Sequence, residues 1–247
     1  MKVEWEITLK CNFKCFYCTN LDQTLNVVTD KEVIREFIKG LGEKYPGVEI
    51  FVFGGEPFIH PHIDHIIDCF HEFNVPFIIQ TNFSKKSVAV MKRITKPFKI
   101  QISIHPTEVK LDQLAALFET PADIRTIDVM YTGRNAIPYY FKVKELSSCK
   151  NIYLTPIADF GDGISGPILE DYNSLRHNEN YSKFIQFETV SHWNTFRSEL
   201  WDTYNPKGKP CLYNGTYFLY GPNLELYNCC YREKHDGICN HDKCFLM

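Results

Sequence analysis

Nowhere does the sequence run apolar for long enough to span a bilayer, and Met1-Lys2-Val3-Glu4-Trp5-Glu6 lacks the apolar stretch that leads a secreted chain. A basic excess is missing too. The net charge is −3 and the pI is near 6.3, so nothing marks the chain as a neutraliser of phosphate backbones, and nucleic acid is not an expected partner. Low-complexity tracts and internal repeats are also lacking. What is there is an ordinary globular composition: 247 residues, 44% apolar and 23% charged, enough for one large core plus a smaller appendage, or two domains. A cytoplasmic location is the expectation.

Ten cysteines stand out against this background. A cytoplasm keeps thiols reduced and a core of this size needs no disulfides, so metal ligation is the leading reading. The cysteines also cluster: Cys11, Cys15 and Cys18 near the start, Cys211, Cys229, Cys230, Cys239 and Cys244 near the end, and only Cys69 and Cys149 between.

Between these clusters strand-like and helix-like stretches alternate, which predicts an α/β architecture with a parallel sheet. The expected strands are Glu4–Leu9, Val48–Phe53, Phe77–Gln80, Lys99–His105, Thr126–Tyr131 and Asn151–Pro156, each short, apolar and rich in β-branched or aromatic residues. The expected helices are Thr29–Tyr45, His62–Glu72, Lys85–Ile94, Glu108–Phe118 and Ala136–Leu146. For the first of them Thr29 reads as N-cap with Glu32 completing a capping box, and Val33, Phe37, Ile38 and Leu41 as the buried stripe. Gly161 to Pro167 breaks the alternation and marks a boundary or a loop over a site; beyond it, Ser191–Tyr204 is a possible helix. The division expected is 1–160, 161–204 as a connecting segment, and 205–247.

The segment "ITLKCNFKCFYCTN", residues 7–20, starts at the end of the first expected strand and fills the loop after it. In parallel α/β folds that C-terminal edge is where active sites sit. Structural zinc closes with four ligands, and no fourth Cys or His lies nearby. Three thiolates on a four-iron cluster would leave one iron with an open position.

Cys11-x-x-x-Cys15-x-x-Cys18, with Tyr17 before the last cysteine, resembles the signature of the radical S-adenosylmethionine (radical SAM) superfamily. "FGGEPF", residues 53–58, resembles that superfamily's second motif and falls at the end of the second expected strand. The resemblance implies a partial (β/α)6 barrel of the TIM type, a 4Fe-4S cluster held by Cys11, Cys15 and Cys18, and S-adenosyl-L-methionine (SAM) chelated to the open iron. One electron would cleave SAM to methionine and a 5′-deoxyadenosyl radical, which abstracts a substrate hydrogen atom. An electron donor such as flavodoxin or ferredoxin is implied as a partner. Gly54 and Gly55 would let the backbone approach a ligand, and Glu56 would accept from the SAM ammonium. Tyr17, Thr81, Asn82 and Ser103 are further candidates for the cofactor site. Pro156 and Ile157 would lie against adenine, His105 would face substrate or serve as a structural polar group, and Arg134 would meet a carboxylate or solvent.

The tail resembles the SPASM/Twitch group of C-terminal extensions. "CLYNGTYFLYGPNLELYNCC" places Cys211 and Cys229 near one end of an expected hairpin, Thr216–Tyr220 and Leu224–Asn228, and "CNHDKC" adds Cys239 and Cys244. Those four thiolates would hold one auxiliary 4Fe-4S cluster, with Cys230 as an alternative to Cys229 and a four-cysteine zinc site as the competing reading. Leu224 departs from the family pattern by standing where glycine is usual. An auxiliary cluster favours oxidative modification of a small molecule, sugar or nucleotide. Peptide modification and a non-catalytic iron-sulfur or zinc protein are the alternatives.

Overall fold

The computed structural model describes residues 1–18, 28–157, 165–188 and 217–227. The expected alternation is realised as β1 Lys2–Thr8, α1 Lys31–Lys44, β2 Ile50–Gly54, α2 Ile63–Glu72, β3 Phe77–Thr81, α3 Lys85–Met91, β4 Lys99–Ile104, α4 Leu114–Leu117, β5 Asp123–Tyr131, α5 Ile137–Leu146 and β6 Ile152–Pro156. Then follow α6 Ser165–Arg176, α7 Glu179–Ser182 and the strands β7 Tyr217–Tyr220 and β8 Leu226–Tyr227. The eight strands form one open sheet in the order β6-β5-β4-β3-β2-β1-β7-β8. All neighbours from β6 to β7 are parallel and only β7 with β8 is antiparallel, which makes a partial barrel of the expected class.

One face of each strand is apolar and meets the helices. Val3, Trp5 and Ile7 of β1, Ile100, Ile102 and Ile104 of β4, and Ile127, Val129 and Tyr131 of β5 are all buried on this side. Trp5 packs edge-on against Phe37 of α1 and Phe70 of α2. Each such aliphatic or aromatic side chain stabilises the fold by roughly 1.5–3 kcal/mol. The intervening positions, Glu4, Glu6 and Thr8 on β1, Gln101 and Ser103 on β4, and Asp128 on β5, carry polar side chains on the other face. Such a lumen is tolerable only because its groups bond one another.

Several local expectations change. Thr29 does not cap α1; Asp30 does, its side chain accepting from the Glu32 amide at 2.8 Å, while Thr29 Oγ1 donates to the Pro222 carbonyl at 3.1 Å. Carboxylates cap as well as hydroxyls, and here a tertiary contact claims the threonine. The buried stripe of α1 begins at Ile34 and runs on through Ile38 and Leu41, and Val33 is left exposed. The fourth expected helix shrinks to a 3-10 turn, Leu111–Gln113, and the single turn of α4. Of the expected breaker segment, residues 165–167 start α6, and the rest lies outside the described residues, as does Ser191–Tyr204.

The β6 margin is covered, and β1 is flanked on its other side by the C-terminal hairpin. Residues 186–188 run along β6, with the Leu154 amide donating to the Gln186 carbonyl and the Glu188 amide to the Leu154 carbonyl, at 3.0 and 3.1 Å. On the other side β7 pairs with β1, Tyr217 donates its hydroxyl to buried Glu4 at 2.7 Å, and Tyr220 meets Tyr45, which caps the C-terminus of α1. The C-terminal hairpin therefore continues the barrel sheet. Leu224 takes φ 63° in its turn, the left-handed conformation that glycine adopts more readily. Among the described residues no helix is long and apolar enough to cross a membrane.

Candidate active site

Because β1 to β6 are parallel, the loops that follow them gather along one edge. Cys11, Cys15 and Cys18 follow β1, the Gly54-Gly55-Glu56 turn ends β2, Asn82 follows β3 and His105 follows β4. The three thiols are half-buried on one loop, and each of Cys11 and Cys15 feels the charge of Cys18. Burial pushes Cys11 up and Cys15 up to about 12. Thiols so placed keep their protons at neutral pH until a metal centre displaces them, and assembly of a cluster here must release protons.

The loop is anchored by the glycines. The Gly55 amide donates to the Thr8 carbonyl at 2.7 Å and the Glu56 amide to the Lys10 carbonyl at 2.9 Å. A Cβ on Gly54 would stand 2.2 Å from the Thr8 carbonyl oxygen, and one on Gly55 would stand 2.2 Å from that of Lys10. The room left by the missing Cβ atoms is thus taken by the root of the cysteine loop, where the sequence suggested a ligand. Gly54 also has φ 137°, outside the ordinary range of other residues.

Glu56 likewise has a structural task where an open acceptor for an ammonium was expected. It is fully buried; Oε1 accepts from the Phe58 amide and Thr81 Oγ1, both at 3.0 Å, and Oε2 accepts from the Asn82 amide at 2.7 Å. These bonds clasp the end of β2 to the end of β3. Asn82, oriented by accepting from the Ser84 amide at 3.0 Å, extends Nδ2 to Asn12 Oδ1 at 3.0 Å and toward Cys11 Sγ at 3.5 Å. One line of hydrogen bonds therefore runs from the second motif to the first cysteine.

A second line reaches Cys15. His105 Nδ1 lies 2.8 Å from the Tyr17 hydroxyl and 3.4 Å from Cys15 Sγ, and the Tyr17 hydroxyl and the Cys15 thiol are near enough for each to shift the other's titration. Burial holds His105 down to about 4, hence neutral at physiological pH. Its sequence position at a strand end was legible, but its partners, 88 and 90 residues away, were not.

Below this edge the lumen is mixed: Phe51 and Phe53 of β2, Ile78 of β3 and Tyr153 of β6 share the face with a set of polar groups. Gln80 Nε2 donates to Ser103 Oγ at 3.1 Å; Asp128 accepts from Gln101 at 2.8 Å and from Thr155 at 2.9 Å. Glu188 shares Thr155 as a partner and feels the charge of Asp128. Sequence reasoning singled out Ser103 but missed Gln101, Asp128 and Glu188, although alternation along β4 and β5 carries the signal for two of them. Arg134 is drawn elsewhere: its guanidinium pairs with Asp171 of α6 at 3.0 Å, and Tyr131 bonds the same carboxylate. Ile157, just past β6, is buried, and Pro156 ends that strand. Cys211, Cys229, Cys230, Cys239 and Cys244 lie outside the described residues.

The donor set fits a 4Fe-4S cluster. The three thiols sit half-buried on one loop, and a cluster offers such thiolates separate iron corners.

Two predictions follow from the anchoring of this loop. Gly55→Ala must push the Lys10 carbonyl aside, so it should destabilise the protein by about 1–3 kcal/mol and reduce the iron taken up on anaerobic reconstitution, read by iron and sulfide assay. Burial pushes the Glu56 carboxyl from 4.5 up to about 7, so its contribution to stability is complete below the lower value and is lost as pH rises through the upper one. Burial raises Asp128 and Glu188 in the same direction. The melting temperature of the metal-free protein should fall between roughly pH 5 and pH 8, and Glu56→Gln should flatten that fall. Equal slopes in melts followed by circular dichroism would show that Glu56 stays ionised.

Comparison with known proteins agrees with this geometry. The family model described as the Radical SAM superfamily matches residues 5–131, just over half of the chain. The chain is 28% identical over 109 residues to a 7-carboxy-7-deazaguanine synthase of Bacteroides thetaiotaomicron, a match that covers 44% of this chain and 56% of that protein. In fold it is similar to Streptococcus suis SuiB bound to S-adenosylmethionine, with a TM-score of 0.60, 14% identity, and coverage of 93% of this chain and 60% of that one. It is similar also to anSMEcpe with bound AdoMet and the Cp18Cys peptide, with a TM-score of 0.57, 16% identity, and coverage of 93% and 74%. The chain thus spans little more than half the length of the first two. With its matched region running from β1 through β5 and both motifs on one strand edge, the chain belongs to the radical SAM superfamily, which implies a 4Fe-4S cluster and SAM.

Proposed function

We propose that the chain is a radical SAM enzyme whose Cys11, Cys15 and Cys18 hold the cluster and whose strand-end edge holds SAM above the lumen. The observation that carries this is the seating of the three-thiol loop on the Gly54-Gly55 backbone at the C-terminal edge of the parallel sheet. When bound, the cluster and SAM supply a one-electron cleavage and a 5′-deoxyadenosyl radical able to take a hydrogen atom from a substrate. The chain's own residues do the rest. Gly54 and Gly55 fix the loop, Asn82 and Tyr17 orient sulfurs, and the wall of Gln80, Gln101, Ser103, Asp128 and Thr155 offers hydrogen bonds to whatever enters the lumen. Tyr17, Gly54, Gly55, Glu56, Asn82 and Ser103 remain our candidates for the cofactor site, Glu56 acting by clasping β2 to β3.

A small, polar substrate such as a sugar or nucleotide suits this wall, and the Bacteroides relative is named for making a small heterocycle. Peptide modification is the second reading, favoured by the folds of SuiB, solved with a precursor peptide, and anSMEcpe, solved with Cp18Cys. Oxidative modification, a flavodoxin or ferredoxin as electron donor and a cytoplasmic setting complete the proposal. For the tail we propose a Twitch-like auxiliary 4Fe-4S cluster on Cys211, Cys229 or Cys230, Cys239 and Cys244, supported by the β7–β8 hairpin that these cysteines flank in sequence.

Anaerobic incubation with SAM and dithionite should yield 5′-deoxyadenosine from the wild type and none from a variant with Cys11, Cys15 and Cys18 all changed to Ala. Cleavage by that variant would sink the assignment, and a wild type without cleavage would favour a non-catalytic metal protein. Reconstituted protein should bind about eight irons, four per cluster, and changing Cys239 and Cys244 together to Ala should remove about four. Zinc in the tail with about four irons in total would defeat the auxiliary cluster alone.

A further inference from the structure

We propose that His105 and Tyr17 form a hydrogen-bonding cap on the Cys15 sulfur, with Asn82 performing the same service for Cys11, and that this cap sets the reduction potential of the cluster. The proposal rests on the reading of Cys11, Cys15 and Cys18 as cluster ligands. All three capping side chains are positioning residues, since they act through a thiolate.

The geometry around Cys15 is constrained from several directions. His105 Nδ1 stands 3.4 Å from Cys15 Sγ and 2.8 Å from the Tyr17 hydroxyl. The imidazole is stacked on Tyr17, with an interplanar angle of 16°, and meets Phe13 edge-on at 77°. Both rings that hold it belong to the cysteine loop, so the nitrogen and the sulfur are fixed in one frame. A metal-bound thiolate is only an acceptor, and a neutral imidazole has one N–H. The tautomer with its hydrogen on Nδ1 is the one that can face the sulfur; the other would oppose lone pair to lone pair. With Nδ1–H directed at the sulfur and the tyrosine oxygen, the Tyr17 O–H stays available to turn toward Cys15, whose thiol already influences it.

Asn82 is held as firmly. Its amide is bonded to buried Glu56 and its Oδ1 accepts from the Ser84 amide, which leaves Nδ2 aimed at Asn12 and Cys11 Sγ. The cap thus supplies His105 and Tyr17 to one sulfur and Asn82 to another.

Hydrogen bonds to cluster sulfurs withdraw electron density and favour the reduced state, which carries the extra negative charge. Half-burial of the thiols has the opposite tendency, because it penalises added charge. The cap offsets that penalty where an electron must be accepted.

The test is a redox titration, without SAM and followed by electron paramagnetic resonance, of the reconstituted full chain carrying Cys239→Ala and Cys244→Ala, so that neither turnover nor a cluster in the tail enters the readout; this protein is the reference for the changes at His105 and Tyr17. His105→Phe keeps a ring between Tyr17 and Phe13 but removes the donor. At the reference midpoint, its ratio of reduced to oxidised cluster should fall on the order of tenfold. His105→Asn places an amide nitrogen near the Nδ1 position and should restore most of the ratio; His105→Gln, whose nitrogen falls near Nε2, should not. Tyr17→Phe should give a smaller fall with iron content unchanged. A His105→Phe protein that titrates like the reference with full iron would overturn the proposal. So would iron loss in His105→Phe that His105→Asn does not repair, because that assigns His105 to packing. Iron and sulfide counted before titration separate this failure from the larger one: a wild type that assembles no 4Fe-4S cluster would defeat the functional reading together with the cap.

Discussion

The site depends on how closely the end of β2 approaches the root of the cysteine loop. Two backbone amides, those of Gly55 and Glu56, bond the Thr8 and Lys10 carbonyls, and a Cβ on Gly54 or Gly55 would collide with those same carbonyls. Phe13 and Tyr17 bury part of this loop, but three half-buried thiols still need a fixed backbone seat to offset the loop's conformational entropy. The glycines solve this by letting backbone meet backbone. Glu56 then transmits the order sideways, because its carboxylate bonds Thr81 and Asn82 and so ties the loop's anchor to the next strand.

A fully buried carboxylate is costly unless its lone pairs are satisfied. Here one amide and one hydroxyl meet Oε1 and another amide meets Oε2, a set that offsets desolvation only in part, as the upward shift of this group records. The same balance recurs lower in the lumen, where Gln101 and Thr155 satisfy Asp128. The polar groups of this face are therefore pre-organised by bonds among themselves.

Legibility in the sequence followed the range of the interactions. The six strands and the main helices were readable because apolar positions recur with the period of each element, and the bounds of β1, β3 and α2 fell within about two residues of expectation. The cysteine spacing and the Gly-Gly-Glu turn were readable because a local motif encodes them. Non-local contacts were not. Thr29 makes its bond to Pro222, almost two hundred residues on, so capping rules could not show that Asp30 takes its place. Glu56 looked like an open acceptor since Thr81 and Asn82 are distant in sequence. Arg134 looked unpartnered until α6 delivered Asp171, and the hairpin looked separate because nothing local encodes the pairing of β7 with β1.

That pairing has a consequence for the chemistry. The strand carrying the cysteine loop is an interior strand, flanked by β2 on one side and β7 on the other, and Glu4 within it is bonded to Tyr217. An edge strand frays and slips register more readily than one paired on both sides. A slip of one residue in β1 would turn Glu4, Glu6 and Thr8 into the helices and carry the Thr8 carbonyl away from Gly55. By pairing the side of β1 that β2 leaves open, the C-terminal hairpin holds the register on which the thiol loop, its glycine seat and the hydrogen bonds to Cys11 and Cys15 all depend.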